Sequence, residues 1–451
     1  MLLLPALCAV ASAEGLALTP PMGWNSWDAY GLTIDEADFK ANAAELARLH
    51  SYGWTYAVID EGWYMGNPFG EKLQNRQYFV DEHGLLIPAP QRFPSSAAGR
   101  GFKPLADWVH SQGLKFGLHI VRGIPKDAVN TNRPIAGSSF HATDAADTSD
   151  TCPWDDGNYG LRDNAAGQSY YDSLLARYAA WGVDFVKVDC IADHPYKASE
   201  IRQIAHAIAK TGRPIVLSLS PGPTQPAHAA EIRQYGQMWR ISNDIWDGWT
   251  FTHKSPSDDF PMGVRNIFDR LLPWVGQAGD GHWPDADMLP IGMLSPHPGW
   301  GEARQSRLTP DEQRTQLTLL AIARSPLILG ANLTELDKNT RALITNKDVI
   351  RVNQKSHDNH PVDSLPPGFE QARVWVAAGA EQQQATRFVA VFNLDEKPAS
   401  LEAAWDKLGL DGGSHAARDL WDGHHIAASG HLKISLPPHG SALYEVGNNP
   451  R

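Results

Sequence analysis

The chain has 451 residues, 42% of them hydrophobic, and a net charge of -12. That length carries a barrel-sized domain plus a smaller one. The acidic balance, with no basic run, argues against nucleic acid and anionic membrane surfaces as partners, and no later stretch has the roughly 18 apolar residues of a spanning helix.

Leu2 to Val10 is apolar and leads into Ala11-Ser12-Ala13. This reads as a secretory signal over residues 1–13, so a secreted or periplasmic protein is expected. Cys8 would leave with it. Cys152 and Cys190 remain, and in an exported protein they either pair or stay as two buried thiols. Pairing, or close approach beside the site, is the expectation.

From Met22 onward short apolar runs alternate with helical patterns. A helix over Ile34–Leu49 leads to a strand at Tyr56–Ile59, which ends in Asp60-Glu61-Gly62-Trp63. Helices over 104–112, 170–181, 200–210, 227–235, 264–275 and 312–322 precede strands at 114–121, 183–188, 214–219, 238–242, 281–285 and 326–329. About eight strand–helix pairs over roughly 340 residues give the rhythm of a (β/α)8 TIM barrel. Residues 66–101 and 125–167 are long insertions, and barrel loops of that kind shape the site. After Asn353 the rhythm changes to alternating strands without helices, as in 372–377, 386–393 and 431–436. The expected domains are a catalytic barrel at 14–355 and a C-terminal antiparallel β-sandwich at 360–451.

The acidic residues of interest fall at strand ends: Asp60 and Glu61, Asp189, Asp244, then Asp285 and Asp287. In a barrel those ends share one rim, and like charges kept together need a task or a cation. A metal-dependent hydrolase is one reading. Against it, no DxDxDG-type loop exists and Lys187 and Arg240 already bring cations to the rim, so no metal or cofactor is expected. The other reading is a carboxylate pair acting on a glycosidic bond. Trp24, Trp27, Trp63, Trp239, Trp246, Trp249 and Trp283 crowd the same strand ends; flat rings complement the C–H face of a pyranose, with about half of them expected in the core. A carbohydrate-binding protein without catalysis would keep the tryptophans and have no need of two such acids.

Thr19-Pro-Pro-Met-Gly-Trp-Asn-Ser-Trp27, Val186-Lys-Val-Asp189, Trp239-Arg-Ile-Ser-Asn-Asp244 and Trp283-Pro-Asp-Ala-Asp-Met-Leu289 resemble the signatures of family 27 glycoside hydrolases, the α-galactosidase (melibiase) family. The resemblance runs in order from about Leu18 to Gln354. It implies an exo-acting retaining enzyme that takes a terminal galactose or related pyranose, with Asp189 as nucleophile and Asp244 as acid/base. It also implies sugar contacts from Trp27, Asp60, Lys187 and Arg240, with Asp287 in support. Four positions depart from the family pattern. Glu61 replaces the usual second Asp near the 6-hydroxyl, which resembles the family's β-L-arabinopyranosidases. Ser220 replaces a Glu that reads the 2-hydroxyl, which resembles its α-N-acetylgalactosaminidases. His119 replaces a Tyr on the third strand. Cys190 directly follows Asp189 instead of lying two residues on, so the family's loop disulfide does not carry over by position.

Overall fold

A computed structural model describes residues 15–68, 77–253, 255, 259–294, 302–379 and 386–447. The expected signal at 1–13 lies outside them. Among them no helix is long and apolar enough to cross a membrane.

Eight parallel strands build the barrel: Met22–Asn25, Tyr56–Ile59, Lys115–Val121, Phe185–Asp189, Val216–Leu219, Met238–Arg240, Trp283–Asp285 and Leu327–Leu329. Numbered in chain order, they lie in the spatial order seven, six, five, four, three, two, one, eight. The ends of that sheet meet just past the seventh strand, where Leu289 bridges in parallel to Leu329 and its N–H donates to Ile328 O across 2.8 Å.

The strands are short and largely buried on both faces. In the fourth, Val186 and Val188 join the apolar layer beneath the helices. Phe185 points the other way, into an interior cluster with Tyr56, Val58, Val216, Met238, Trp283 and Ile328. Alternation then places Lys187 and Asp189 on that same inward face, one and two steps nearer the carboxyl end.

Several helices begin or end where sequence chemistry dictates. Asp35 caps Glu36–Arg48 by accepting from Asp38 N, and Gly182 closes Ala165–Trp181 in a left-handed conformation. Thr309 and Glu312 form a reciprocal capping box on Pro310–Ile322.

The 125–167 insertion carries a feature its sequence did not announce: a three-stranded sheet of Ile124–Pro125, Asn158–Leu161 and Ala146–Thr151. Cys152, just past it, forms a disulfide with Cys190.

After the helix Lys347–Lys355 an antiparallel six-stranded sheet starts at His357, and a two-stranded sheet of Ala399–Ala404 and His431–Leu436 covers it. Val374, Val376, Val389 and Val391 face the small sheet. Trp375, Ala377, Phe388, Ala390 and Phe392 face the barrel and join its core.

Candidate active site

A cavity of about 390 Å3 opens at the carboxyl ends of the barrel strands. Every residue expected to act on or contact the sugar lines it: Trp27, Asp60, Glu61, His119, Lys187, Asp189, Ser220, Arg240, Asp244 and Asp287; Asp285, also placed at the rim from sequence, does not. The tryptophans divide differently from the expected half. Trp27 and Trp246 line the cavity, while Trp24, Trp63, Trp239, Trp249 and Trp283 are core. Among the core rings, Trp63 Nε1 donates to His119 O at 2.8 Å and Trp24 Nε1 to Ala331 O at 2.7 Å.

Asp60 is tightly held. It follows the second strand directly, and Gly62 (φ 91) turns the chain where a Cβ would meet the Leu32 backbone. Its Oδ2 accepts from Lys187 Nζ at 2.9 Å and Asn25 Nδ2 at 2.6 Å. Its Oδ1 accepts from the Glu61 N–H at 2.8 Å. Burial pushes the Asp60 carboxyl up, but Lys187, His119 and these hydrogen bonds outweigh it and hold it well below the usual carboxylate range. Burial likewise opposes the Lys187 charge, and Asp60 and Asp189 outweigh it.

His119 stands on the third strand, with Nε2 4.0 Å from Asp60 Oδ1. Burial lowers its pKa against the pull of Asp60, and its buried Nδ1 has no partner among the described residues. Its side chain lines the cavity.

Arg240 joins the two later acids. One of its terminal nitrogens lies 2.8 Å from Asp287 Oδ2 and 3.1 Å from Asp244 Oδ1. Asp287 is buried and also accepts from Ile245 N at 2.7 Å. Burial pushes the Asp287 carboxyl up, with Asp244 and Asp285 adding to it against Arg240. Asp244 keeps about a third of its side chain exposed. Asp189 is nearly buried and accepts from Trp154 Nε1 at 2.9 Å.

Two wall residues were missed from sequence. Asp28 lies next to Trp27, is buried, and has an Oδ2 without a partner among the described residues. Gly330 makes room for it, since a Cβ there would come within 1.8 Å of that oxygen. Burial, then Asp287, pushes the Asp28 carboxyl well above the usual range. The signal was its adjacency to the Trp27 motif. Trp154 came from an insertion with no periodicity to orient it. Among the described residues no group of three His, Cys, Asp or Glu side chains is placed to hold a metal ion.

The family model for α-galactosidase A matches residues 155–355, and that for the α-galactosidase C-terminal β-sandwich domain matches 370–446. An α-galactosidase A of Cellvibrio japonicus is 30% identical over 448 residues, covering 96% of this chain and 93% of the relative. The chain belongs to the α-galactosidase (melibiase) family. It is therefore a glycosidase with the family's retaining architecture. Two solved members of the family have similar folds. A Geobacillus stearothermophilus β-L-arabinopyranosidase, in complex with arabinose, has a TM-score of 0.88 at 40% identity, covering 97% of this chain and 99% of that one. A Bacillus halodurans protein described as a putative α-N-acetylgalactosaminidase has a TM-score of 0.81 at 38% identity, covering 96% and 98%.

Proposed function

We propose that this α-galactosidase-family enzyme releases terminal α-linked D-galactose by double displacement, with Asp189 as nucleophile and Asp244 as acid/base. The observation that carries the reading is the meeting of Asp189, Asp244 and the Asp60–Lys187 pair in one cavity. Asp189 attacks the anomeric carbon while Asp244 protonates the departing glycosidic oxygen. Water deprotonated by Asp244 then displaces the sugar from Asp189, and two inversions restore the configuration. The Asp60 carboxylate and the Lys187 ammonium offer an acceptor and a donor to ring hydroxyls, and Trp27 and Trp246 supply apolar wall.

A second reading is favoured by one residue. Glu61 is 7% exposed and faces the cavity beside Asp60. Its extra methylene crowds the space for a CH2OH group, which supports β-L-arabinopyranose, the same ring without C6. Initial rates on p-nitrophenyl α-galactoside, β-L-arabinopyranoside and α-N-acetylgalactosaminide decide between them; the last arm tests the room left by Ser220. Galactoside turnover at or above the others is expected. A strong preference for the arabinopyranoside moves the assignment to the second reading. Asp189→Asn should be inactive on all three, and azide should rescue Asp244→Gly with retained configuration. Inversion by the wild type would overturn the mechanism. Full activity in chelator is expected, and its loss would reinstate a metal.

The Cys152–Cys190 disulfide and the apolar leader together support an exported protein. N-terminal sequencing of secreted material should begin near residue 14.

A further inference from the structure

Trp154 Nε1 donates to Asp189 Oδ2 across 2.9 Å, and the two residues are 35 apart in sequence. Two residues before Trp154, Cys152 is bonded to Cys190, the neighbour of Asp189. Those sulfurs are buried against Val121, and Arg122 Nε fixes the Cys190 carbonyl at 2.6 Å. Trp154 thus sits on a short arm tied covalently one residue from the acid it touches. The indole is 38% exposed at the cavity wall and stands edge-on to His194. A core tryptophan would not be left this open. A platform for a leaving group would offer its face, with no need to aim the N–H at the nucleophile.

We propose that Trp154 is a positioning residue for Asp189 whose indole N–H assists release of the sugar from the enzyme. The inference rests on Asp189 being the nucleophile. In the first half-reaction an Asp189 oxygen bonds to the anomeric carbon as the glycosidic bond breaks, and Asp189 goes from a full negative charge to a neutral ester. In the second half-reaction water bonds to that carbon, Asp244 takes its proton, and the ester bond breaks to return the electron pair to Asp189. A fixed N–H donor stabilises the carboxylate more than either transition state, and each transition state more than the ester. The contact therefore helps the second step from the ester and gives no net help to the first from free enzyme.

Trp154→Phe tests this on a p-nitrophenyl substrate that the wild type turns over. The expected result is a stoichiometric burst of nitrophenolate. With it, kcat should fall on the order of five- to tenfold and KM should fall at least as far, leaving kcat/KM unchanged or somewhat raised. Trp154→Gln, which keeps an N–H donor, should recover part of the loss, and Cys152→Ser, which frees the arm, should shift kinetics in the same direction. Thermal melts establish that each variant is folded. A fall in kcat/KM matching that in kcat, with no burst, would overturn the proposal, as would a KM rise confined to bulky leaving groups. Mass spectrometry of the accumulated intermediate separates the two levels. Sugar on the Asp189 peptide upholds the nucleophile whatever Trp154 does, and sugar elsewhere overturns the nucleophile itself.

Discussion

Asp60 and Asp28 share one cavity, yet their surroundings push them in opposite directions. Lys187, His119 and hydrogen bonds overcome burial at Asp60 and depress its pKa. At Asp28 burial wins and the pKa rises. The signs for stability follow. A depressed acid contributes stability that is present above the unfolded value, about 3.9, and lost as pH falls through the folded one. A raised acid contributes stability that is present below about 3.9 and lost as pH rises through its folded value. Asp60→Asn should therefore melt well below the wild type at neutral pH, with the gap closing as pH drops below about 4. Asp28→Asn should gain on the wild type as pH rises above about 4. Parallel melting curves for the two variants with the same pH trend would contradict this account. Sequence alone marked Asp60, because a carboxylate directly after a buried strand has little choice of direction. It missed Asp28, because the orientation of a side chain in the short helix Trp27–Tyr30 depends on Gly330, about 300 residues away.

Loops after the strands do the positioning, and the one that carries Asp244 is held by an ion cluster. Asp247 is fully buried, and its two oxygens accept from Arg304 and Arg307 at 2.8–3.1 Å. Both arginines precede the helix Pro310–Ile322, so the cluster ties the loop after the sixth strand to the connection before the eighth. Burial opposes the Asp247 charge and the arginines outweigh it. Asp247→Asn leaves two cations facing a neutral amide. Because both arginines are partly exposed, the expected cost is about 2 kcal/mol, below that of a fully buried broken pair. It should also lower kcat on substrates with poor leaving groups more than on activated ones, since those depend most on a fixed Asp244. An unchanged melting temperature would mean the cluster is merely surface charge. Elements like Tyr56–Ile59 were legible because an apolar run between helical patterns has few other places to go. The sheet Ala146–Thr151 was not. Its sequence, ADTSDT, has no apolar alternation, and it is held by strand pairing and by Asp150 accepting from Arg122 and Lys197.

Across the whole molecule the sandwich is joined to the barrel by a shared core. Phe392 meets Phe268 edge-on with centroids 5.1 Å apart. Trp421 Nε1 donates to Thr318 Oγ1 at 3.0 Å, and Arg418 pairs with Asp348 at 2.9 Å. The junction reaches the site through His439. Its carbonyl accepts from Thr315 at 2.6 Å, its Nδ1 lies 2.7 Å from Glu312, and its ring stacks on Trp249 with centroids 4.1 Å apart. Trp249 ends the stretch that begins at Asp244, so the C-terminal domain supports the loop that carries Asp244, the proposed acid/base, from behind. Ending the chain at Lys355 would expose the apolar surface that Trp375, Phe388 and Phe392 now cover. Such a protein should aggregate and melt far lower. Aggregation would also remove activity and so could not isolate the loop. His439→Ala keeps the domain and removes the stacked ring together with its contact to Glu312. It should leave the barrel folded, lower stability by about 1–3 kcal/mol, and reduce kcat on poor leaving groups while sparing activated ones. Equal losses on both substrate classes would place the role of His439 in global packing and break the link from sandwich to acid/base loop.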